Sequence, residues 1–393
     1  MATLNNNQVF TVIKSVLAQT VGGEITATNL QGIIDTGNDP TVIGSKEQFT
    51  QALVNVLAKN WYTDTAYRSQ YYDPFYVDNE KFGAIVQTIS VEVPEVRESQ
   101  AWKTFENGVT QVGQYTVYLP VVHSQYYGKS VSWELPITIT YEQWDTAFKS
   151  ESELSQFVNY IMLMIDNALT LHLENMNALN RNNFMAEKIA YSKTPEAKGV
   201  HKINLVEVYA KLTGKNALTV NAYLSDEKAL RNGVATINQY VDYFDKMNTQ
   251  FNTAGRQRFT PDDRKVLQVL SAFYTAIESV SLTTAFNEQY ARLKKDFQRV
   301  PFWQSSNDFD FNTVSSINVV TSSDGTSVSQ SGIVAFLCDK WAIMHTIKSH
   351  RVAVKDFNPE ALTMYFYQYR DQYMNDLTMN AVVFTVEDYT ATA

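Results

Sequence analysis

The feature that most constrains the fold is a helical pattern of nearly forty residues that begins after Ser150. Ser150 and Glu153 form a capping box, which is typical of a helix N-terminus. Apolar residues then recur every three or four positions: Leu154, Phe157, Val158, Ile161, Ile165, Ala168, Leu169, Met176 and Leu179. Average globular helices run only about 11–12 residues. No sustained heptad with charged flanks accompanies the pattern, which disfavours a coiled coil. We therefore expect a spine packed across a sheet.

Two strand-rich segments precede this helix. Residues 83–96 alternate strictly, which predicts a strand of about fourteen residues. In residues 109–140, QYTVYLPVV and SVSWELPITIT resemble the two arms of a long hairpin joined near Tyr126-Tyr127-Gly128. Pro120 and Pro136 would place these arms at sheet edges, because proline cannot donate to a ladder. Such a hairpin has little core of its own and needs an external surface to pack on.

Composition points to a surface that becomes covered. The chain has 393 residues, with 45% hydrophobic, 13% aromatic and 19% charged residues, whereas average soluble domains carry about 25% charged residues. This hydrophobic content excludes wholesale disorder. Its surface must rely on amide, hydroxyl and tyrosine side chains, which are suited to burial against a partner. The formal charge of −9 disfavours a dedicated nucleic-acid binder, which would carry a basic footprint.

The number of cysteines and the N-terminal sequence indicate the cellular compartment in which the protein is made and used. Cys338 is the only cysteine, so an intrachain disulfide, a CxxC redox pair and a cysteine zinc site are all excluded. The start MATLNNNQVF lacks the pattern of a signal peptide, and no apolar run is long enough for a membrane helix. We expect the protein to be made and used in a reducing, aqueous compartment.

Motifs for chemistry are nearly absent. The sequence contains no GxGxxG, HExxH or GxSxG pattern. Asp308, Asp310 and Asn312 begin like an EF-hand, but Thr313 replaces the required glycine and Val319 the bidentate glutamate. A solvated loop is favoured there. We predict no catalytic residue, no cofactor and no metal site, and hence no enzyme.

One charged stretch leaves two interpretations open. The sequence AGRQRFTPDDRK combines basic and acidic residues, namely Arg256, Arg258, Arg264, Lys265, Asp262 and Asp263. It predicts either a salt-bridged turn or a loop that faces another subunit or enclosed nucleic acid.

The order of the elements resembles the major capsid protein of tailed bacteriophages, particularly short-tailed podovirus-type phages. ESELSQFVNYIMLMIDNALTLHLENMNALNRNN resembles the family's spine helix. IVAFLCDKWAIMHTI resembles its buried strand ending in Asp-Lys, and MYFYQYRDQYMND with NAVVFTVE resembles its aromatic and closing strands. The resemblance implies an α+β fold, the tailed-phage major capsid fold shared with herpesviruses and encapsulins.

The resemblance also implies a division of the chain. The expected parts are an N-terminal arm at 1–45, P-domain segments at 46–104, 139–199 (with the spine helix) and 346–393, an extended E-loop at 105–138, and an A-domain at 200–345. The arm and the E-loop would lie across neighbouring subunits. We expect subunit contacts from the E-loop and from the arginine loop: Tyr115, Tyr118, Tyr126, Tyr127, Trp133, Arg256 and Arg258.

The implied function is that of a major capsid protein whose hexamers and pentamers form an icosahedral shell. The shell would enclose double-stranded DNA without sequence-specific binding or a membrane, and the protein would be made in the host cytoplasm. Scaffold, cement and portal proteins are compatible further partners. An encapsulin-type compartment carrying protein cargo remains an alternative. A soluble carbohydrate-active enzyme is a weaker one, because it would need two facing carboxylates in a pocket.

Overall fold

The computed structural model describes residues 14, 76–78, 85–94, 96, 117, 119–128, 130–139, 151–195, 197–283, 293–304, 314–321, 325–355 and 363–391. This part of the chain contains α-helices and sheets whose strand pairs are mainly antiparallel, which confirms the predicted α+β class. Outside the described residues lie the arm at 1–45 except Lys14, the segment at 46–75, the EF-hand-like Asp308 and Asp310, and Tyr115 and Tyr118.

The predicted long helix is present and spans 42 residues. The α-helices of the described residues are α1 (Glu151–Ser192), α2 (Leu205–Thr213), α3 (Val220–Leu224), α4 (Glu227–Tyr243) and α5 (Ser271–Thr283). Helix α1 lies against strands of three sheets, which confirms its expected role as a spine. No described helix combines the length and apolar character needed to cross a membrane.

The described strands form two larger sheets and three two-stranded ones. The first sheet has the order β1-β12-β13-β4, where these are Tyr76–Asp78, Ile343–Lys355, Thr363–Asn375 and Val131–Ile139. The second has the order β5-β14-β11-β7-β8, where these are Lys202–Asn204, Ala381–Thr385, Ile333–Asp339, Lys265–Leu270 and Gln298–Val300. The small sheets pair β2 (Val86–Val91) with β3 (Val122–Tyr127), β9 (Ile317–Val320) with β10 (Ser327–Gln330), and β6 (Ala217–Leu218) with β15 (Tyr389–Thr390).

The core forms around the second sheet and the C-terminal half of α1. Every residue of β7, β11 and β14 is buried, as expected for strands covered on both faces. Strand β14 pairs with β11 and β5, so the closing strand joins the sheet built from the 200–345 region. In α1, Phe184, Met185, Ala186 and Ile189 are fully buried, so the helix changes from one apolar stripe to burial on several sides.

The long hairpin predicted at 109–140 is wrong in its pairing. Strand β3 pairs antiparallel with β2, and strand β4 pairs antiparallel with β13. Strands β3 and β4 thus belong to two different sheets although they follow each other closely in sequence. The pairing with β13 lets Trp133 bond to Asp371 and buries Ile137, contacts that pairing with β3 would not give. Pro136 lies in an edge strand, as its missing N–H requires.

The strand predicted over 83–96 is also shorter than expected. Strand β2 ends at Val91, although Glu92 N still donates to Val121 O at 2.9 Å. Residues 92–121 therefore form the connection between two paired strands. The ladder stops there because Pro94 cannot donate a backbone hydrogen bond.

The N-terminus of α4 offers a test of local capping. The Asp226 carboxylate accepts from Lys228 N and from the Tyr209 hydroxyl, both at 2.9 Å. We expect Asp226→Ala to lower the free energy of unfolding by about 1 kcal/mol, because the helix loses its cap. Asp226→Asn keeps an accepting oxygen and should lose less. Equal losses for both variants in denaturant unfolding would contradict the capping role.

Candidate subunit-contact surfaces

The β2–β3 pair has an apolar face that is open to solvent. Ile89 and Val91 are 64% and 61% exposed, and they lie opposite Ser124 and Val122 on β3. The opposite face carries Thr88 and other polar residues and is the half-buried one. This arrangement reverses the usual pattern of a sheet that packs on its own core. An exposed apolar face of this kind indicates a surface that another protein covers.

The same pair is anchored to the body of the subunit by polar contacts. Gln372 Nε2 donates to Tyr127 O at 2.5 Å, and Arg256 Nη1 donates to Ser90 Oγ at 3.0 Å. Burial raises the pKa of the Tyr127 hydroxyl, and the nearby Asp376 carboxylate raises it further. We call the β2–β3 pair the stem; polar contacts fix its inner face, while its outer face is open to solvent.

A cavity of about 540 Å³ lies between β2 and the loop that precedes β7. Arginine and apolar side chains share its wall, which is lined chiefly by Ile89, Val91, Val93, Met247, Arg256, Arg258, Phe259, Arg264, Trp341 and Met379. Six of these apolar side chains are exposed in the subunit: Ile89, Val91, Val93, Met247, Phe259 and Trp341. The cavity thus continues the apolar face of the stem.

One of the three arginines that line this cavity forms an ion pair, and the other two form none in the described part of the chain. Arg264 donates to both oxygens of Asp339, at 3.2 and 2.6 Å, and its guanidinium lies 3.9 Å from the Trp341 ring centroid. Arg256 and Arg258 have no carboxylate within ion-pair distance in the described part of the chain. Burial lowers the pKa of Arg258 from its ordinary value, while Asp376 acts in the opposite direction.

The stretch 254–265 therefore combines features of both interpretations. Arg264 forms an ion pair, and Lys265 contacts Asp245 at 2.6 Å and Asp262 at 3.7 Å. Arg256 and Arg258 line the cavity without a carboxylate partner in the described part of the chain, and their role in a subunit contact stays a prediction.

The structure brings some of the predicted contact residues together and separates others. Tyr126 lies on the open face of the stem, is 65% exposed and accepts a hydrogen bond from Gln87 Nε2. Tyr127 lies on the inner face of the same strand. Trp133 is half-buried inside the subunit, so its role in a subunit contact stays a prediction.

Trp133 belongs to a buried polar cluster beneath the spine helix. Its indole N–H donates to Asp371 Oδ2 at 2.7 Å, and its ring lies 3.8 Å from the His172 ring and 4.1 Å from Tyr369. His345 Nε2 lies 3.7 Å from the same carboxylate oxygen. Burial lowers the pKa of His172, although Asp371 opposes that shift. The cluster ties β4, β12 and β13 to α1. In the described part of the chain, no three side chains of metal-binding type converge.

Sequence reasoning missed most of the apolar rim of the cavity. Phe259 lies inside the arginine stretch, and Trp341 follows the Asp-Lys pair at the end of β11. Only the alternation of residues 83–96 signalled Ile89 and Val91, and alternation does not tell which face meets solvent.

Comparison with known proteins identifies the family. The family model of the Phi29-like phage major capsid protein matches residues 12–385. Among solved structures, the chain is similar to the capsid of Staphylococcus phage Andhra, with 8% identity, 79% of this chain and 82% of that chain covered, and a TM-score of 0.46. It is also similar to the capsid of Cyanophage P-SCSP1u, with 10% identity, 82% of this chain and 88% of that chain covered, and a TM-score of 0.42. No curated protein matches.

The family match confirms the resemblance that the order of the elements predicted. It covers the spine helix and both larger sheets. The chain therefore belongs to the family of Phi29-like phage major capsid proteins, structural proteins that assemble with copies of themselves into the shell of the virion.

Proposed function

We propose that copies of this chain assemble as hexamers and pentamers into an icosahedral shell that encloses the double-stranded DNA of a phage. The observation that carries this proposal is the open apolar face of the β2–β3 stem, which exposes Ile89 and Val91 to solvent. Covering that face would remove apolar surface from water in every subunit, at about 25 cal/mol per Å².

The extended loop at 105–138 contains β3, the second strand of this stem. It would lie over a neighbouring subunit, with Val117, Leu119 and Val121 as exposed apolar residues before β3. The arm at 1–45 would cross beneath another neighbour. The 200–345 region would gather around the axis of each hexamer or pentamer, while 46–104, 139–199 and 346–393 would form the surrounding wall.

The charge of the chain fits a container and not a binder of specific DNA. A net charge of −9 leaves little general attraction for phosphates, and a closed shell need not grip each phosphate. We propose a purely structural role without enzymatic activity. The protein would be made in the host cytoplasm, with scaffold, cement and portal proteins as further partners.

Negative-stain microscopy of the purified full chain at rising concentration tests this proposal. We expect closed particles with fivefold and sixfold clusters, and nuclease-protected double-stranded DNA in particles from infected cells. A chain that stays monomeric at every concentration would contradict self-assembly. Particles filled with a protein cargo would favour an encapsulin-type compartment.

A further inference from the structure

Two arginines in the cavity beside β2 lack an anionic partner in the described part of the chain. Arg256 Nη1 donates to the Ser90 hydroxyl at 3.0 Å. Arg258 Nη1 contacts Met379 Sδ at 2.9 Å and its Nη2 donates to Thr378 Oγ1 at 3.2 Å. A thioether is a weak acceptor, and each guanidinium carries five N–H donors. Both arginines therefore retain donors for an anion.

The acidic groups near these arginines in the described part of the chain already have partners, and Glu92, which also lines the cavity, lies 3.6 Å from His123 Nε2. Asp339 accepts two hydrogen bonds from Arg264. Asp376 Oδ1 accepts from the backbone and the hydroxyl of Thr378, at 2.9 and 2.6 Å. An anion from outside this surface would therefore meet two guanidinium groups without displacing an existing ion pair.

The apolar walls of the cavity indicate which group should stand next to the anion in a ligand. Met247, Phe259 and Trp341 are large, apolar and exposed around the arginines. Nucleic acid would gain little here, because its affinity grows with the number of phosphate contacts, whereas only two arginines of the cavity lack a carboxylate partner in the described part of the chain. A carboxylate next to an aromatic side chain fits both features, since the guanidinium fork matches a carboxylate and the apolar wall takes a ring.

We propose that the cavity binds the acidic and aromatic stretch Asp308-Phe309-Asp310-Phe311 of a second copy of this chain. This inference rests on the proposed function, because it assigns one subunit contact of the shell. The stretch alternates two carboxylates with two phenyl rings, the combination that the arginines and the apolar wall would take. The EF-hand-like start noted in the sequence thereby gains a different role, as an anionic anchor.

The geometry favours a second copy over the same chain. Trp303 N donates to Val314 O at 3.2 Å, and Trp303 Nε1 donates to Ile333 O at 2.9 Å, so the loop between them starts and ends near the first residue of β11. The cavity lies at the other end of that strand, at Asp339, about 20 Å away for six strand steps. Asp308 follows Trp303 by only five residues, which span at most about 17 Å when extended, so the loop would have to be almost fully stretched to bring its carboxylates to the arginines of its own chain.

Peptide binding to the dilute subunit tests the inference directly. The probe is a fluorescent peptide of residues 305–313, and the readout is fluorescence anisotropy with the full chain. We expect saturable binding that weakens at least tenfold for the double variant Arg256→Gln with Arg258→Gln. Arg231→Gln with Arg299→Gln removes two arginines that pair with glutamates elsewhere and should bind as the wild type does.

The peptide itself supplies a second control. Replacing both aspartates of the probe by asparagine keeps its size and its rings and should abolish binding. Equal binding of both peptides, or equal binding to the Gln variant, would overturn the proposal. So would arginine-dependent binding of a short DNA duplex in the absence of peptide binding, which would assign the cavity to nucleic acid.

Charge exchange in the full chain distinguishes a second copy from the same chain. Arg256→Glu with Arg258→Glu, and separately Asp308→Arg with Asp310→Arg, should each block particle formation while thermal melting shows a folded subunit. Mixing the two variants should restore complexes between subunits in size-exclusion chromatography, because each supplies the partner that the other lacks. Restoration only when all four changes share one chain would overturn a contact between copies. Should the wild-type chain form no particles, the proposed function fails, whereas the peptide measurement still decides this inference.

Discussion

Replacing Ile89 and Val91 by lysine together is expected to abolish particle formation while leaving the subunit folded. Both side chains lie on the open face of the β2–β3 stem and are 64% and 61% exposed. Substitutions at such exposed positions change the free energy of unfolding by about 0.5 kcal/mol or less. The isolated subunit should therefore melt within a few degrees of the wild type.

The effect on assembly is much larger because it is repeated in every subunit. If a neighbouring copy covers this face, the two lysines must either lose water or prevent the contact. Burying an unpaired ammonium group costs several kcal/mol, whereas the native contact gains from apolar burial. A penalty of that size at each contact exceeds what weak subunit contacts can offset, so closed shells should disappear from light scattering and negative stain.

A matched control is available elsewhere on the surface. Leu212 on α2 and Val320 on β9 are 69% and 61% exposed, so Leu212→Lys with Val320→Lys introduces the same charge at similar exposure. We expect this control to assemble. Normal particles from the Ile89 and Val91 variant would show that the open face is not a subunit contact.

The parts of the fold that the sequence predicted are those specified by local pattern. The capping box at Ser150 and the spacing through Leu169 predicted α1, which runs over Glu151–Ser192. The apolar run IVAFLC, within the segment that resembles the family's buried strand, lies in β11, all of whose residues are buried. Both signals lie within a single element, so no knowledge of distant contacts was needed.

The failures concern pairing between distant segments. Strand β4 follows β3 closely, which suggested a hairpin, yet its partner β13 lies more than two hundred residues away in sequence. Local alternation cannot choose between such partners, because register and pairing depend on contacts across the fold. The same reason explains why the sequence did not predict the cavity. Arg256 and Arg258 were predicted as contact residues, but β2 and Trp341 come to their side only through the tertiary structure.

A second large effect is expected from Lys188, which the sequence placed on the spine helix without any sign of its surroundings. This lysine is fully buried, and its ammonium donates to the carbonyl oxygens of Phe251, Leu377 and Met379 at 3.2, 2.9 and 3.1 Å. It thereby joins the helix to two loops of the core. These acceptors offset part of the desolvation cost, but burial still lowers the pKa of Lys188 to about 7.

The groups around Lys188 modify this shift without reversing it. Asp376 and Cys338 act to raise the pKa of Lys188, and Arg258 acts to lower it. His201 lies nearby, and burial together with Lys188 lowers the pKa of that imidazole to about 4. The histidine therefore titrates below neutral pH in the folded chain. Of these two groups, the lysine is the one that changes its protonation between pH 7 and pH 9.

The sign of the effect follows from proton counting. In the unfolded chain a lysine keeps its proton up to about pH 10.4, whereas folded Lys188 releases its proton near pH 7. Between these values the unfolded state binds more protons, so stability rises with pH. We expect the free energy of unfolding of the wild type, relative to Lys188→Met, to rise by about 2 kcal/mol from pH 7 to pH 9.

Denaturant unfolding of both proteins at several pH values measures this difference, because groups shared by the two proteins largely cancel. Lys193→Met removes an exposed lysine that directly follows the same helix, and it should keep the wild-type pH dependence. A difference between wild type and Lys188→Met that stays constant from pH 7 to pH 9 would mean that the ammonium remains charged in the folded core. The three carbonyl acceptors would then outweigh desolvation, and the junction of spine helix and loops would be an ionic contact at every pH in this range.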